Sequence, residues 1–490
     1  MSGESPGEEL RRALHGCLVA GWDGPDLDPG IEGLLGAGLG GVILHSRNVE
    51  DAEQLRDVLS RMRRIQPDLV VTVDQEGGRI GHLARAGTPP TPGAWALGVL
   101  DEPETTAAVA GQLAVHLAGL GVNSTWSPVA DVQADPRNPI IRTRSFGSDA
   151  DLVARHVAAW VEGTAAAGIA CAAKHFPGHG STTSDSHLDA AVDHRGLAEL
   201  LECDLVPFRA AIAAGVPQVM TTHVRFPDID DRPATLSPVL VRRLLRDELG
   251  FDGVIVSDAL EMKAIADTVG IGTGAVGALA AGHDLLCIAE PDHDLHRQVI
   301  DTLLDAVSSG ALDAEEVLAS AGRVRRLAGN HGAGTPPRPI HGAGMDAARR
   351  AIAVADRLPT LHTPYLLDLY RTPRAVLEWD GSDLATRVAA GVVGATGRSV
   401  TAGEGVPVPA VDDLVAEVVG AADGRSLVVA TQDPDLHPWQ AETLAALRNR
   451  RPGLTHVETG LPTGAEHLAT FGRGVANIAA GAEAIIAACR

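Results

Sequence analysis

A lysine, three histidines and an aspartate crowd into one short stretch, Lys174-His-Phe-Pro-Gly-His-Gly-Ser-Thr-Thr-Ser-Asp-Ser-His187. Lys174 and His175 close a small apolar run, Gly168-Ile-Ala-Cys-Ala-Ala173, as residues at the end of a strand would. A Gly/Pro/Ser/Thr-rich loop follows and carries Asp185 and His187, two residues apart. A cation, imidazoles and a carboxylate on one strand-plus-loop unit suit polar binding or proton transfer. Lys174 and Lys263 are the only lysines; every other basic residue among the 40 Lys and Arg is arginine. A lysine kept against that bias points to a place where a compact ammonium is needed and a planar guanidinium will not do. Taken singly, each of these residues reads as ordinary loop chemistry, and the chemical reading rests on the run. His and Asp are also metal ligands, but the spacing fits no standard zinc pattern, so no metal is expected.

These residues need a scaffold that brings distant chain segments to one edge. Eight apolar runs recur through the first 290 residues: Cys17–Ala20, Gly41–Leu44, Leu69–Val73, Val122–Val132, Ile169–Ala173, Gln218–Thr221, Gly253–Val256 and Asp284–Ile288. Continuous apolar runs suit parallel strands buried on both faces, with helical patterns between them. Ser237-Pro238, for example, opens a helix that Gly250 closes. Eight strand-helix units in about 300 residues predict an α/β fold, a (β/α)8 TIM-like barrel, with a doubly wound sheet as the competitor. Polar residues follow four of the runs: Asp74-Gln-Glu-Gly-Gly-Arg79, Lys174-His175, Thr222-His223 and Ser257-Asp258. In a barrel all of these meet at the C-terminal rim, where active sites are built. Ser257 or Asp258 alone is equally a helix cap.

Composition excludes several functions. The 490 residues are 45% hydrophobic and only 3% aromatic. The net charge of −23 argues against nucleic acid as a partner. No window reaches the roughly 18–20 apolar residues of a membrane helix, so no membrane partner is expected. The acidic, polar N-terminus does not read as a signal peptide. Five widely spaced cysteines, at 17, 171, 203, 287 and 489, read as free thiols, and a cytoplasmic protein is expected. The Pro/Gly composition near residues 331–346 predicts a linker between a catalytic domain, 1–330, and a smaller α/β sandwich domain, 347–490. Candidate strands there are Ala375–Trp379, Leu427–Ala430 and Thr455–Thr459, with a helical pattern over Trp439–Arg448. It has no obvious Gly-rich phosphate loop, and no cofactor is expected.

The stretch from Lys174 to Thr182, followed by Asp185-Ser-His187, closely resembles glycoside hydrolase family 3, and within it the β-N-acetylglucosaminidase branch. Supporting pieces run in the family's order: Asp74-Gln-Glu-Gly-Gly-Arg79, Ser127-Pro-Val-Ala-Asp131, Arg144-Ser-Phe-Gly147 and Phe251-Asp-Gly-Val-Ile-Val-Ser-Asp-Ala-Leu-Glu-Met262. The resemblance implies a retaining exo-β-N-acetylglucosaminidase acting on peptidoglycan-derived fragments, with a carbohydrate as its partner. It implies that Asp258 is the nucleophile, and that His187, oriented by Asp185, transfers the proton. It implies that Asp74, Arg144, Lys174 and His175 hold the sugar. Glu76 and His223 are the next acid/base candidates. Here His187 is followed by Leu188-Asp-Ala-Ala-Val-Asp193, without the proline that family members often carry. No motif in residues 347–490 is carried over, which leaves that domain packing or dimerisation. Phosphorolysis, a β-glucosidase of the same family and a non-catalytic sugar-binding protein are the alternatives.

Overall fold

Each of the eight apolar runs becomes a strand. The computed structural model describes residues 5–183, 191–330, 341–355, 357–371, 383–402 and 406–489. The strands are β1 Leu18–Ala20, β2 Gly41–Leu44, β3 Val70–Val73, β4 Ser124–Thr125, β5 Ala170–Phe176, β6 Gln218–Thr221, β7 Val254–Val256 and β8 Leu286–Ile288. They pair in parallel as two arcs, β8-β1-β2-β3 and β4-β5-β6-β7. Backbone bonds link the arcs on both sides. The Asn123 and Trp126 amides donate to the Val71 and Val73 carbonyls at 3.3 and 3.0 Å, and Val256 bridges Leu285 in parallel. The strands therefore follow one another in chain order, as in a TIM-like barrel. A doubly wound sheet would instead reverse its order at a switch point.

The pleat explains why the runs carry no alternation of polarity. Successive side chains point to opposite faces, and here both faces are buried. Val19, Ile43, Val70, Ala170, Ala172, Met220, Val254, Val256 and Cys287 form one cluster. Their neighbours Leu18, Ala20, Val42, Leu44, Val71, Val73, Leu286 and Ile288 belong to another, packed under the surrounding helices. The fourth run is longer than its strand because Pro128 has no N–H to give a ladder. The chain nonetheless stays beside β5, accepting from Ala172 at Ser127 and from Lys174 at Pro128 at 3.0 and 3.1 Å. The helix expected after Ser237-Pro238 spans Val239–Glu248 and ends before Gly250, whose φ is +69°. It is wound as a π-helix, with the Leu249 amide reaching the Leu244 carbonyl.

The C-terminal unit is a second α/β layer. Its strands are β9 Ala353–Val354, β10 Tyr365–Arg371, β11 Thr396–Ala402, β12 Leu427–Thr431, β13 Thr455–Glu458 and β14 Leu468–Ala469. They lie in the order β9-β14-β13-β12-β10-β11, with β9 antiparallel at one edge. The expected strands at 427 and 455 are present, and the helical pattern over Trp439–Arg448 lies in a helix, Pro438–Arg450. Ala375–Trp379 lies outside the described residues. The segment expected to be linker up to residue 346 is helical from Ala343, in a helix Ala343–Ala351. Ala347 and Ala351 of this helix join apolar clusters that include barrel residues, and Ala348 packs with Ala476 and Ala480. Small side chains allow that close approach, which composition alone does not reveal. All five cysteines are free thiols. Among the described residues no helix is long and apolar enough to cross a membrane.

Candidate active site

The C-terminal end of β5 organises the rim. In a regular strand, Lys174 and His175 would face opposite ways. The pairing of β5 with β6 shifts register between Ala173 and Phe176, and both side chains reach the same polar cluster. Lys174 is buried, its Nζ 2.5 Å from Asp74 Oδ1 and 2.7 Å from Glu76 Oε1. Arg144 forks onto Glu76, donating from Nε and Nη2 at 2.9 and 2.7 Å. Burial alone would raise the Glu76 carboxyl, but Arg144 and Lys174 outweigh it and hold it far below the usual carboxylate range. Burial would likewise lower the Lys174 ammonium, and Asp74 and Glu76 hold it above its ordinary value. Asp74 is the most open of the three, with a quarter of its side chain exposed.

His175 is fixed from behind. Its Nδ1 lies 2.7 Å from Asp131 Oδ2, and Asp131 Oδ1 accepts from the His179 amide at 2.7 Å. Burial would raise the Asp131 carboxyl, but His175 and His179 hold it below the ordinary value. An ionised carboxylate can only accept, so Nδ1 carries the proton and Nε2 faces the Arg144 Nη2 at 3.4 Å. His179 is pushed down to about 4 by burial and bonds through Nδ1 to Thr182 Oγ1 at 2.8 Å. It is a neutral brace of the loop.

Asp258 follows β7 at the same rim and is partly exposed. Its Oδ1 accepts from the adjacent Ala259 amide at 2.8 Å. The next helix, Lys263–Ala266, starts five residues after Asp258, behind Met262, with no side-chain cap bond. Asp258 is therefore not that helix's cap. Ser257 is buried and ties β7 to β8, accepting from the Cys287 amide at 3.0 Å. Three residues beyond Asp258, burial lifts the Glu261 carboxyl to about 7, aided by Glu290 and Asp258. Among the described residues no group of three or more His, Cys, Asp or Glu side chains is placed to hold a metal ion. The rim thus offers a partly open carboxylate, Asp258, and a dense set of fixed charged donors and acceptors of the kind that hold vicinal hydroxyls.

A family model described as the glycosyl hydrolase family 3 N terminal domain matches residues 31–327. The chain belongs to glycosyl hydrolase family 3. The protein is accordingly a glycoside hydrolase. A beta-hexosaminidase of Stenotrophomonas maltophilia (strain R551-3) is 36% identical over 290 residues, 58% of this chain and 84% of its own. One of Pseudomonas aeruginosa (strain LESB58) is 39% identical over 249 residues, 50% of this chain and 74% of its own. The structure of a glycoside hydrolase family 3 beta-N-acetylglucosaminidase from Paenibacillus sp. str. FPU-7 superposes with a TM-score of 0.87 at 29% identity, covering 98% of this chain and 96% of that one. A beta-N-acetylhexosaminidase from Beutenbergia cavernae DSM 12333 is covered completely by 67% of this chain, with a TM-score of 0.61 and 29% identity.

Of the seven residues singled out from the sequence of this glycosidase, Asp74, Arg144, Lys174 and His175 form one connected cluster, and Asp258 sits at the end of β7 on the same rim. Asp185 and His187 lie outside the described residues. The fallback acid/base candidates do not suit that role. Glu76 is locked as an anion between two cations. His223 has both ring nitrogens engaged, with Thr235 Oγ1 and the Ala259 carbonyl, each at 2.9 Å. Asp131 went unassigned in the sequence reading, although its motif, Ser127-Pro-Val-Ala-Asp131, was visible.

The C-terminal unit does more than pack. Arg142, two residues before Arg144, donates from Nη2 to Asp433 at 2.6 Å and to Asp435 at 3.1 Å. Arg142 and Asp433 are almost fully buried and both have left-handed backbone, at φ +45° and +52°. Such conformations persist only where the surroundings over-determine them. Asp433→Asn should therefore destabilise the glycosidase toward the low end of about 3–5 kcal/mol, because Asp435 remains as a more exposed partner. It should also lower kcat/KM by loosening the loop that aims Arg144. Urea unfolding and steady-state kinetics on one preparation check both, and a stability loss with unchanged kinetics would sink the positioning role.

Proposed function

We propose that the enzyme is a retaining exo-β-N-acetylglucosaminidase that releases terminal N-acetylglucosamine from peptidoglycan-derived fragments. The supporting observation is the state of the carboxyl groups at the rim. Asp74, Glu76 and Asp131 are each committed to a cation or an imidazole. Glu76 and Asp131, whose carboxyls are held below their ordinary values, are poorly suited to give a proton at neutral pH. This favours an imidazole, that of His187, as the acid/base where most retaining enzymes use a second carboxyl group. The names of the related proteins, beta-hexosaminidase and beta-N-acetylglucosaminidase, favour the same sugar.

In this reading Asp258 attacks the anomeric carbon as the bond to the leaving oxygen breaks, and His187 gives that oxygen its proton. A water then loses a proton to His187 and attacks the same carbon, releasing Asp258 and a β-configured sugar. Asp185 fixes the imidazole's tautomer and stabilises its protonated form. Asp74, Lys174, Arg144 and His175 hold the hydroxyls of the sugar.

Aryl β-N-acetylglucosaminide and aryl β-glucoside, each with and without phosphate, test the substrate and the acceptor together. Cleavage of the former to free sugar, indifferent to phosphate, is the expected result. Faster cleavage of the glucoside, or release of a sugar 1-phosphate, would overturn the reading. His187→Ala should damage glycosides with poor leaving groups at least about 100-fold more than activated aryl glycosides. Asp185→Ala should show the same pattern more weakly. Equal losses on all leaving groups would remove the proton-transfer role.

A further inference from the structure

Behind the clamp of Arg142 and Asp433, the C-terminal unit buries a second carboxyl group. Glu458, at the end of β13, is fully buried. Its Oε1 accepts from the amides of Asp433 and Gly460 at 2.9 and 2.7 Å, and its Oε2 accepts from Thr431 Oγ1 at 2.6 Å. The groups that act on it most are Asp433, Thr431 and Gly460, and none is a cation. Three donors favour the ionised form. Burial and the Asp433 carboxylate favour the acid and push it up to about 8.

The donors behind Glu458 have a fixed direction. Arg448 Nη2 lies 3.1 Å from His456 Nδ1 and can only donate. Burial pushes His456 down to about 4, so the ring is neutral and its Nε2 carries the hydrogen. Nε2 meets Thr431 Oγ1 at 2.8 Å, which turns the Thr431 hydroxyl toward Glu458. The imidazole and the hydroxyl thus stand between the Arg448 charge and the carboxyl. In front, Asp433 Oδ1 accepts from the Leu461 amide at 2.9 Å. Gly460 makes the room, since a Cβ there would lie 2.1 Å from that oxygen. To the side, Arg473 donates to Thr459 Oγ1 at 3.1 Å but is forked onto Asp368. Asp433 also acts on Arg79 and His437. The clamp lines a cavity of about 520 Å3, with Glu76 and Arg144 on the barrel side and Arg473 and Gly474 on the other.

We infer that Glu458 is a positioning residue of the glycosidase: protonated, it holds the left-handed Asp433 backbone that presents a carboxylate to Arg142, and ionised, it loosens that clamp and the loop that aims Arg144. With Glu458 neutral, Arg142 is balanced by Asp433 and Asp435. Ionisation adds a buried negative charge with no further cation, and the cavity gives the Asp433 segment room to turn toward water. The same proton links stability to pH. The folded chain keeps it up to about 8, whereas an ordinary glutamate loses it at 4.5. This contribution to stability is complete below that lower value, falls as pH rises to about 8 and is constant beyond.

The test compares the full chain with Glu458→Gln, a neutral isostere, between about pH 5 and 9.5. Urea unfolding reads stability, and an aryl glycoside that the wild type cleaves reads kcat/KM. Across this range the wild-type unfolding constant should grow at least about 30-fold relative to that of Glu458→Gln. Titrations that both proteins share, such as that of His187, cancel in the ratio of their kcat/KM values. That ratio should shift toward the variant by about 5–20-fold as pH passes 8. Asp433→Asn removes the neighbouring charge, and its ratio to the wild type should also rise above that pH. Adding Glu458→Gln to Asp433→Asn should then change kcat/KM by no more than about twofold. Parallel stability curves would show that Glu458 does not titrate here and would overturn the inference. Constant kcat/KM ratios across pH would overturn the positioning role even if stability follows the expected course.

Discussion

Asp258→Ala should lower kcat by about four to six orders of magnitude, with the melting temperature almost unchanged. The two halves of this result come from different facts. The proposed nucleophile forms the covalent bond on which both steps depend, so nothing nearby replaces it. The side chain also carries little of the fold, since it is partly exposed and caps no helix. Truncating such a residue usually changes stability by within about 0.5 kcal/mol. Added azide should restore turnover in the alanine variant, because a small anion fits the space left by the carboxylate. The product should then be the α-glycosyl azide, formed by a single displacement. A slow-deglycosylating fluorosugar should label Asp258 in the wild type. Turnover within tenfold of wild type, or a label on another carboxylate, would remove Asp258 from this role.

The second large effect is expected at Lys174. From the sequence alone, replacement by arginine reads as a loss of function with the fold untouched. The structure changes that expectation. The ammonium is 3% exposed and wedged between Asp74 and Glu76. A longer, planar group there both overpacks the rim, at about 1–3 kcal/mol, and misplaces the charge. Lys174→Arg should lower kcat/KM about 1,000-fold and also lower the melting temperature. Lys174→Met should cost more stability, about 3–5 kcal/mol, because the buried Glu76 and the partly buried Asp74 lose their shared cation. Adding Asp74→Asn to Lys174→Met should recover much of that stability while activity stays lost. This separates charge balance from sugar binding in one cycle. Recovery of activity along with stability would mean that Lys174 serves only to neutralise its neighbours.

These expectations show how much the sequence makes legible. The barrel could be read because its strands are buried on both faces and so appear as unbroken apolar runs. The polar residues ending four of those runs mark the rim for the same reason. What escaped was contact across the chain. Asp131 closes the Ser127-Pro-Val-Ala-Asp131 motif, but nothing local shows that it clasps His175, 44 residues on. Glu76 looks like a spare acid until Arg144 and Lys174 are seen to pin it. The helix at Ala343–Ala351 was hidden by the Pro/Gly composition just before it, since its fit against the barrel depends on small side chains that carry no periodic signal. The part of the C-terminal unit at the cavity is built of scattered arginines and glycines, which make no motif.

The clamp between Arg142 and Asp433 also sets an order of events during synthesis. The partners are 291 residues apart. At ribosomal speeds of about 5–20 residues per second, Arg142 is made roughly 15–60 s before the carboxylate that holds it. By then the eight strands have already left the tunnel and can close around their core. The nascent barrel would wait with one rim loop unfastened until the last part of the chain arrives. The fastening of that loop would thus be timed by the synthesis of Asp433 and not by the folding of the barrel, and a chain cut short after Asn330 would lack the carboxylate that fastens it.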